Sequence, residues 1–189
     1  MAVPHCKIVL IGNSGVGKTS LVNSWMFGTH GGSVNSTIGA NHQRKRVVLE
    51  GESLDLFIWD TAGQEQYQSL APLYVRSAAV AIITISFSDP ATLISVDAWA
   101  DMVSNASDNP PPIVLAANKY DLINISDFNT QKVESMYLKR FPIIFCSALT
   151  GEGVDNLFEL AARTGLDFLK NGDKISQKVL KEDNSQSCC

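Results

Sequence analysis

Short apolar runs alternate with longer amphipathic stretches along the chain. Six runs have the length and composition of β-strands. They are residues 7–12 (KIVLIG), 46–51 (RVVLEG), 54–59 (LDLFIW), 79–86 (AVAIITIS), 113–118 (IVLAAN) and 143–146 (IIFC). Most are apolar at consecutive positions, the pattern of strands that are buried on both faces of a parallel sheet. The second and third runs lie close enough together to predict an antiparallel hairpin.

Five stretches of the chain have the pattern of α-helices. They are predicted at residues 18–27, 69–76, 90–106, 130–140 and 154–170. Asp89 can cap the third helix, Pro90 suits its first position, and the NPPP sequence at 109–112 cannot continue it. The order of elements predicts an α/β doubly wound fold: a six-stranded, mostly parallel sheet with one antiparallel strand and about five helices.

The composition indicates one globular domain, which we place at residues 1–170. The chain has 189 residues, of which 45% are hydrophobic and 18% charged. Its formal net charge of −4 argues against nucleic-acid binding, which requires a basic face. Membrane-span and leader patterns are absent from the sequence, so we expect an intracellular protein. Cys6 and Cys146 adjoin apolar runs and are interpreted as buried thiols.

Residues 171–189 (NGDKISQKVLKEDNSQSCC) are polar and are predicted to form a flexible tail. Three lysines balance three acidic residues in this segment, so it is not a polybasic membrane tether. Stable anchoring takes two attachments, because a single lipid chain binds a membrane only marginally. Cys188 and Cys189 would offer two attachment sites; the alternative is an unmodified tail.

The sequence GNSGVGKT at residues 12–19 has the spacing of a phosphate-binding loop, between the first predicted strand and the first predicted helix. Its glycines let successive backbone N–H groups face an anion at the helix N-terminus. Lys18 would reach the β- and γ-phosphates, and Thr19 would give its hydroxyl to Mg²⁺. The residues expected to contact the nucleotide here are Asn13, Ser14, Gly15, Val16, Gly17, Lys18, Thr19 and Ser20. The alternative is a glycine turn with an exposed lysine.

The sequence DTAGQE at residues 60–65 follows the third predicted strand. A carboxylate at this strand end, beside the phosphate loop, can hold Mg²⁺ or its water, and we give this role to Asp60. Gly63 has no side chain to keep its amide from a γ-phosphate. Gln64 could orient the attacking water. The alternative is an acidic turn before a helix.

The sequences NKYD (118–121) and CSALTG (146–151) follow the last two predicted strands and suit base recognition. The Asp121 carboxylate can accept hydrogen bonds from guanine N1–H and the 2-amino group, which adenine cannot offer. Asn118 would support the loop, with Lys119 beside it. The Ala148 amide can donate to guanine O6. The alternative for 146–151, which contains Ser147 and Leu149, is an ordinary loop.

Together these motifs resemble the Ras-like small GTPases over residues 1–170, and the Rab family in particular. The features most similar to Rab proteins are Trp59 in IWDTAGQE, YVRSA at 74–78 and the terminal Cys-Cys. STIGA (36–40) and SLAPLYVRSA (69–78) look most like the early-endosomal Rab subgroup. The resemblance implies a P-loop GTPase fold, GTP or GDP bound with Mg²⁺, slow hydrolysis of GTP to GDP and phosphate, and a regulatory role in vesicular traffic.

The resemblance also assigns residues and partners. It makes Thr37 the switch threonine, whose hydroxyl binds Mg²⁺ and whose amide meets the γ-phosphate. It implies an exchange factor, escort and GDP-dissociation-inhibitor proteins, and effectors at the Trp59, Tyr74 and His42 face. No arginine stands near the phosphates in the two switch loops, which contain Thr37 and Gly63. We therefore expect an activating protein that supplies an arginine in trans. Prenylation of both terminal cysteines would place the protein on the cytoplasmic face of endosomal or vesicular membranes, cycling with the cytosol.

Three positions depart from the family pattern. His30 stands where the family stacks an aromatic ring on guanine, Leu149 replaces a lysine that lies along the base, and His42 replaces the first aromatic residue of the effector triad. These changes motivate an alternative, a nucleotide-binding scaffold with negligible hydrolysis, although Gln64 and Thr37 are intact. A second alternative, an ATP-using P-loop kinase, conflicts with Asp121.

Overall fold

A six-stranded sheet forms the centre of the protein. The structure, a computed structural model, describes residues 3–28, 37–63, 69–125 and 130–185. The strands are β1 (His5–Ile11), β2 (Ala40–Leu49), β3 (Glu52–Thr61), β4 (Val80–Ser86), β5 (Ile113–Asn118) and β6 (Ile143–Phe145). They lie in the order β2-β3-β1-β4-β5-β6, and every pair is parallel except β2 with β3. The predicted α/β doubly wound sheet is confirmed.

Helices cover both faces of this sheet. Within the described residues they are α1 (Lys18–Phe27), α2 (Ala71–Val75), α3 (Ala91–Ile94), α4 (Val96–Ser104), α5 (Thr130–Tyr137) and α6 (Val154–Ser185), with a 3₁₀ helix at Tyr120–Ile125. Alternate residues of β1 enter different cores: Ile8 and Leu10 pack in the core with α1 and α6, and Val9 and Ile11 in the core with α2 to α5. Burial on both faces explains why β1 is apolar at consecutive positions.

The edge strand β2 begins at Ala40, well before the predicted start at residue 46. Its polar first half pairs with β3 in continuous register from Ala40 opposite Thr61 to Leu49 opposite Glu52. Polar residues suit this strand because an edge strand is exposed on one side. Glu50 and Gly51 join the two strands with φ angles of 54° and 84°. Two positive φ values in a two-residue turn match the type I′ hairpin, whose twist fits that of the strands.

The third predicted helix is divided into α3 and α4 at Ser95. The Ser95 hydroxyl lies 2.8 Å from the Thr92 carbonyl oxygen, so the side chain bonds the preceding turn. At the start of α3, the Asp89 carboxylate accepts the N–H of Ala91 at 3.0 Å. Asp89 therefore binds a free amide at this helix start as predicted, although the helix begins at Ala91 and not at Pro90.

The last helix continues to Ser185, so the end predicted near residue 170 is wrong. Residues 171–185 contain several strong helix formers and no proline, and Gly172 costs only about 1 kcal/mol relative to alanine. Propagating an existing helix is also easier than nucleating one. The backbone is helical as far as Ser185, and Cys188 and Cys189 lie outside the described residues. The division into a domain ending at residue 170 and a tail stays a prediction.

Two further expectations concern cysteines and membrane spans. Cys6 and Cys146 are buried free thiols, as predicted, and burial raises the pKa of each to about 12. None of the helices in the described part of the chain combines the length and hydrophobicity that a bilayer crossing requires.

Candidate functional site

The predicted phosphate and base motifs meet at one edge of the sheet. They follow the carboxyl ends of β1, β3, β5 and β6, which run in one direction. Ligands of open α/β sheets bind at this edge, because the loops there converge. The sheet topology therefore brings four separate sequence motifs into one site.

The loop between β1 and α1 wraps tightly because of its glycines. Gly17 precedes α1 with a φ of 96°, and a Cβ at this position would overlap the amide nitrogen of Asn118. Only glycine avoids both the strained φ and the overlap. Ser14 and Gly15 are exposed at the tip of the loop, and Val16 is buried beneath it. Exposed backbone at the N-terminus of α1 is the arrangement that binds a phosphate.

Lys18 is buried within this loop, with only 5% of its surface exposed. Its ammonium donates to the backbone carbonyls of Gly12 at 2.7 Å and Asn13 at 2.9 Å. Burial lowers the pKa of Lys18 to about 8, and the charge of Asp60 partly opposes that shift. A buried ammonium beside an anion-binding backbone would gain from a phosphate partner.

Two threonine hydroxyls and one carboxylate converge beside Lys18. Thr19 Oγ1 donates to Asp60 Oδ2 at 2.6 Å, and Thr37 Oγ1 lies 2.8 Å from Thr19 Oγ1. Asp60 is 1% exposed, and burial raises its pKa against the opposing effects of the Thr19 hydrogen bond and the Lys18 charge. Asp60 Oδ1 is buried with no hydrogen-bond partner in the described structure. These hard oxygen donors and the unsatisfied oxygen fit a magnesium ion.

Gly63 lies directly against the phosphate loop. A Cβ at Gly63 would be 2.5 Å from the Asn13 carbonyl oxygen and would also overlap the Lys18 ammonium. Any side chain at this position would force the two loops apart. The predicted contact of the Gly63 amide with a γ-phosphate stays a prediction. Gln64, the predicted water-positioning residue, lies outside the described residues, as does His30.

The buried side chain of Asn118 joins three loops. Its Nδ2 donates to the Val16 carbonyl at 2.8 Å, and its Oδ1 accepts the Ala148 N–H at 3.1 Å. The Ala148 amide, predicted to donate to guanine O6, thus has a partner inside the protein. Asn118 is 1% exposed and joins the phosphate loop to the loop that contains Ala148. Its contact with the purine stays a prediction.

The remaining base-recognition residues flank Asn118. The Ser147 hydroxyl donates to Asp121 Oδ1 at 2.5 Å, which orients the carboxylate proposed to read guanine. Lys119 has a φ of 61°, and its ammonium donates to the Ser88 hydroxyl at 3.0 Å. Leu149, the replacement for the family lysine, is exposed.

The structure also brings together the predicted effector residues. The rings of His42 and Trp59 have centroids 5.2 Å apart, and those of Trp59 and Tyr74 are 5.6 Å apart. His42 stands directly opposite Trp59 in the β2–β3 register. The histidine thus occupies the place of an aromatic ring in a continuous row.

Sequence reasoning missed two residues that contact the phosphate loop. Ser95, just before α4, and Trp99, within α4, both donate to Asn13 Oδ1. Their spacing of four residues places them on one face of a helix, and this was the available signal. It gave no indication of the partner, which lies far away in sequence.

Comparisons of the sequence with known proteins identify the family to which such a site belongs. The family model described as "Ras family" matches residues 7–167. The chain is 32% identical to human Ras-related protein Rab-22A, with all of both chains covered. It is also 32% identical to Ypt/Rab-type GTPase avaA of Emericella nidulans, covering 85% of this chain and 82% of that protein.

A third relative is a longer protein. The chain is 32% identical to the mouse Ras and EF-hand domain-containing protein homolog over 78% of its own length, but it spans only 24% of that protein. The family match covers the strands and loops that build the site described above. The chain therefore belongs to the Ras family and is a Rab-type small GTPase, a GTP-hydrolysing switch of membrane traffic.

Proposed function

We propose that this chain binds its guanine nucleotide together with Mg²⁺, held by Thr19, Thr37 and Asp60. The observation that carries this proposal is the convergence of the Thr19 and Thr37 hydroxyls on Asp60 Oδ2, while Asp60 Oδ1 is buried without a partner in the described structure. When bound, the ion would neutralise charge on the β- and γ-phosphate oxygens. Thr37 belongs to the segment after α1, so its contact with this cluster would tie that segment to the presence of the γ-phosphate.

The phosphate loop and Gly63 would position the γ-phosphate for hydrolysis. Lys18 would add a phosphate oxygen to its two carbonyl partners, because an ammonium has three N–H donors and a phosphate accepts a strong, charge-assisted hydrogen bond. The Gly63 amide would close against the γ-phosphate, since a bare backbone fits beside Asn13. Gln64 would hold the attacking water. Hydrolysis then removes the contacts that keep the loops closed, and effectors dissociate.

An activating protein would supply the arginine that hydrolysis needs. The arginines that follow Thr37 in sequence, Arg44 and Arg46, lie on β2 and bond Asp55 of β3 at 2.5 and 2.7 Å. They are therefore engaged away from the phosphate loop. An arginine supplied in trans raises the rate of GTP hydrolysis by roughly three to five orders of magnitude. Replacing Gln64 with leucine should abolish this stimulation.

Guanine would be selected by Asp121, whose carboxylate is oriented by Ser147. Asp121→Asn replaces one acceptor oxygen by an amide donor. The variant should therefore lose affinity for GDP and gain affinity for xanthosine diphosphate, whose base carries an acceptor oxygen at C2. A competition assay with GDP, ADP and xanthosine diphosphate measures this exchange. Preference of the wild type for ADP would favour the P-loop kinase alternative.

Membrane attachment would use two prenyl groups on Cys188 and Cys189. Support comes from the Rab-type relatives and from the absence of a polybasic segment in the tail. Escort and GDP-dissociation-inhibitor proteins would carry the lipidated chain between cytosol and endosomal or vesicular membranes. Mass spectrometry of protein isolated from its own cells tests this; a mass with bare thiols would contradict it.

The magnesium site is tested by GDP release. In the wild type, chelating Mg²⁺ should accelerate release strongly, because the ion links the nucleotide to the protein. Asp60→Asn should release GDP rapidly even in Mg²⁺ and respond little to the chelator. Asp155→Asn, in the first turn of α6, is the matched control and should behave as the wild type does. A wild-type response in Asp60→Asn would overturn the proposed ligand set.

Single-turnover hydrolysis of GTP by the same proteins separates the switch from the scaffold alternative. The wild type should convert bound GTP to GDP slowly and faster with an activating protein. A wild type that holds GTP unchanged in the presence of Mg²⁺ and an activating protein would favour the scaffold.

A further inference from the structure

Asn13 is held by α4 through its side chain. Asn13 Oδ1 accepts a hydrogen bond from the indole N–H of Trp99 at 2.8 Å. The Ser95 hydroxyl lies 2.8 Å from the same oxygen and 2.8 Å from the Thr92 carbonyl, so its single proton is shared between two acceptors. Trp99 is 7% exposed and packed in the core with the rest of α4. Its N–H is therefore a donor with a fixed position.

The backbone of Asn13 contacts the chemistry of the site. The Asn13 carbonyl oxygen accepts the Lys18 ammonium at 2.9 Å. The same oxygen would lie 2.5 Å from a Cβ at Gly63, so it forms the surface against which Gly63 packs. Asn13 thus contacts α4 through its side chain, and its main chain contacts Lys18 and Gly63, the two residues proposed to bind the γ-phosphate.

Regular secondary structure does not fix the orientation of the Asn13 peptide. Gly12 and Gly15 on either side have φ angles of 134° and 77°, and glycine allows many backbone conformations. Regular structure begins only at Lys18. The side-chain bond to Trp99 is therefore a long-range anchor for the Asn13 peptide, in addition to the bond from Lys18 to its carbonyl.

We propose that Trp99, with help from Ser95, is a positioning residue for nucleotide binding and hydrolysis, and that it acts through Asn13 on Lys18 and Gly63. The inference rests on the roles proposed above for Lys18 and Gly63. Without the indole donor, the Asn13 carbonyl changes direction. Lys18 and Gly63 then lose the surface that sets their positions.

The test is Trp99→Phe, which keeps an aromatic ring in the core and removes the N–H donor. A neutral hydrogen bond of ordinary strength corresponds to about a fivefold effect. We expect GDP release to become about fivefold faster and single-turnover GTP hydrolysis to slow by a similar factor. Trp25→Phe is the matched control: Trp25 is 9% exposed, stacks on Phe158 and has no described contact with the phosphate loop. It should leave both rates unchanged.

A double-mutant cycle separates positioning from general loosening of the core. Asn13→Ala removes the acceptor and should reproduce the rates of Trp99→Phe. Adding Trp99→Phe to Asn13→Ala should then change GDP release no further, because the interaction is already lost. Ser95→Ala should give a smaller effect, since its proton is shared. This milder variant also keeps the test informative if Trp99→Phe folds poorly.

The outcomes are distinct. Equal release rates for Trp99→Phe and Trp25→Phe, or additive effects in the cycle, would overturn the positioning role while leaving the proposed nucleotide site intact. A wild-type chain that binds no guanine nucleotide would overturn the proposed site and this inference together. A fivefold change that disappears in the Asn13→Ala background would establish the connection from α4 to the phosphate loop.

Discussion

The amide of Asn118 donates to the carbonyl of Val16 at 2.8 Å, across 102 positions of sequence. This bond joins the end of β5 to the phosphate loop, and Asn118 Oδ1 extends the connection to Ala148 in the loop after β6. All three groups are buried. The phosphate-binding and base-binding halves of the site are therefore held together by one side chain.

Asn118→Ala should both lower the stability of the protein and increase the rate of GDP release. Two buried hydrogen bonds disappear, each worth about 1 kcal/mol net, so the free energy of unfolding should fall by about 2 kcal/mol. GDP release should accelerate, because the phosphate loop loses its link to the base loop. Denaturant unfolding and GDP release kinetics measure the two effects. Asn105→Ala, whose amide donates to the Asp101 carbonyl at an exposed site, is the control and should change neither much.

Gly63→Ala should impair hydrolysis more than GDP binding. A Cβ at this position meets the Asn13 carbonyl oxygen at 2.5 Å, which is closer than real Cβ contacts allow. The loop must move away, and its amide then cannot reach the γ-phosphate. We expect GTP hydrolysis to fall by about a hundredfold or more, the loss typical of removing one transition-state donor, while GDP affinity changes little.

The control for that experiment is Gly172→Ala. Gly172 lies on α6, where no heavy atom is within 4 Å of an added Cβ. This substitution should leave hydrolysis unchanged and stabilise the helix slightly. Full hydrolytic activity in Gly63→Ala would show that the loop closes without a close backbone approach.

Arg46→Gln should destabilise the β2–β3 hairpin more than an exposed ion-pair substitution does. Arg46 donates to both oxygens of Asp55, at 2.7 and 3.0 Å, and Asp55 is almost entirely buried. The hydrogen bonds of Arg46 hold the pKa of Asp55 well below its usual range. The melting temperature should fall clearly at pH 7. Arg163→Gln, which breaks two exposed ion pairs, one to Glu159 on α6 and one to Glu50 in the β2–β3 turn, should change it little.

The difference in stability between the wild type and Arg46→Gln should decrease at low pH. A carboxyl whose pKa is lower in the folded state adds stability above its unfolded pKa, and this stability is lost as the pH falls through the folded value. The melting-temperature difference between wild type and Arg46→Gln should therefore shrink as the pH is lowered below about 4, towards the folded pKa. A difference that stays constant down to pH 2 would contradict the assignment to Asp55.

The sequence predicted the sheet and the converging loops because both depend on local signals. Apolar runs mark buried strands, and glycine spacing marks the phosphate loop. The start of β2 at Ala40 was missed because pairing with β3, and not its own composition, makes that segment a strand. The contact between Asn13 and Trp99 spans 86 positions, so only the fold could reveal it.

Nucleotide affinity should decrease as the pH rises above 8, because of Lys18. Without nucleotide, burial lowers the pKa of Lys18 to about 8, so its charge is lost progressively above this pH. A bound phosphate favours the charged form and raises the pKa. Binding above pH 8 must therefore take up a proton, and the Kd for GDP should rise by up to about tenfold per pH unit. Lys18→Arg keeps its charge throughout. A titration of Kd from pH 7 to 9 should show the rise in the wild type and a flat profile in Lys18→Arg; parallel profiles would contradict the assignment to Lys18.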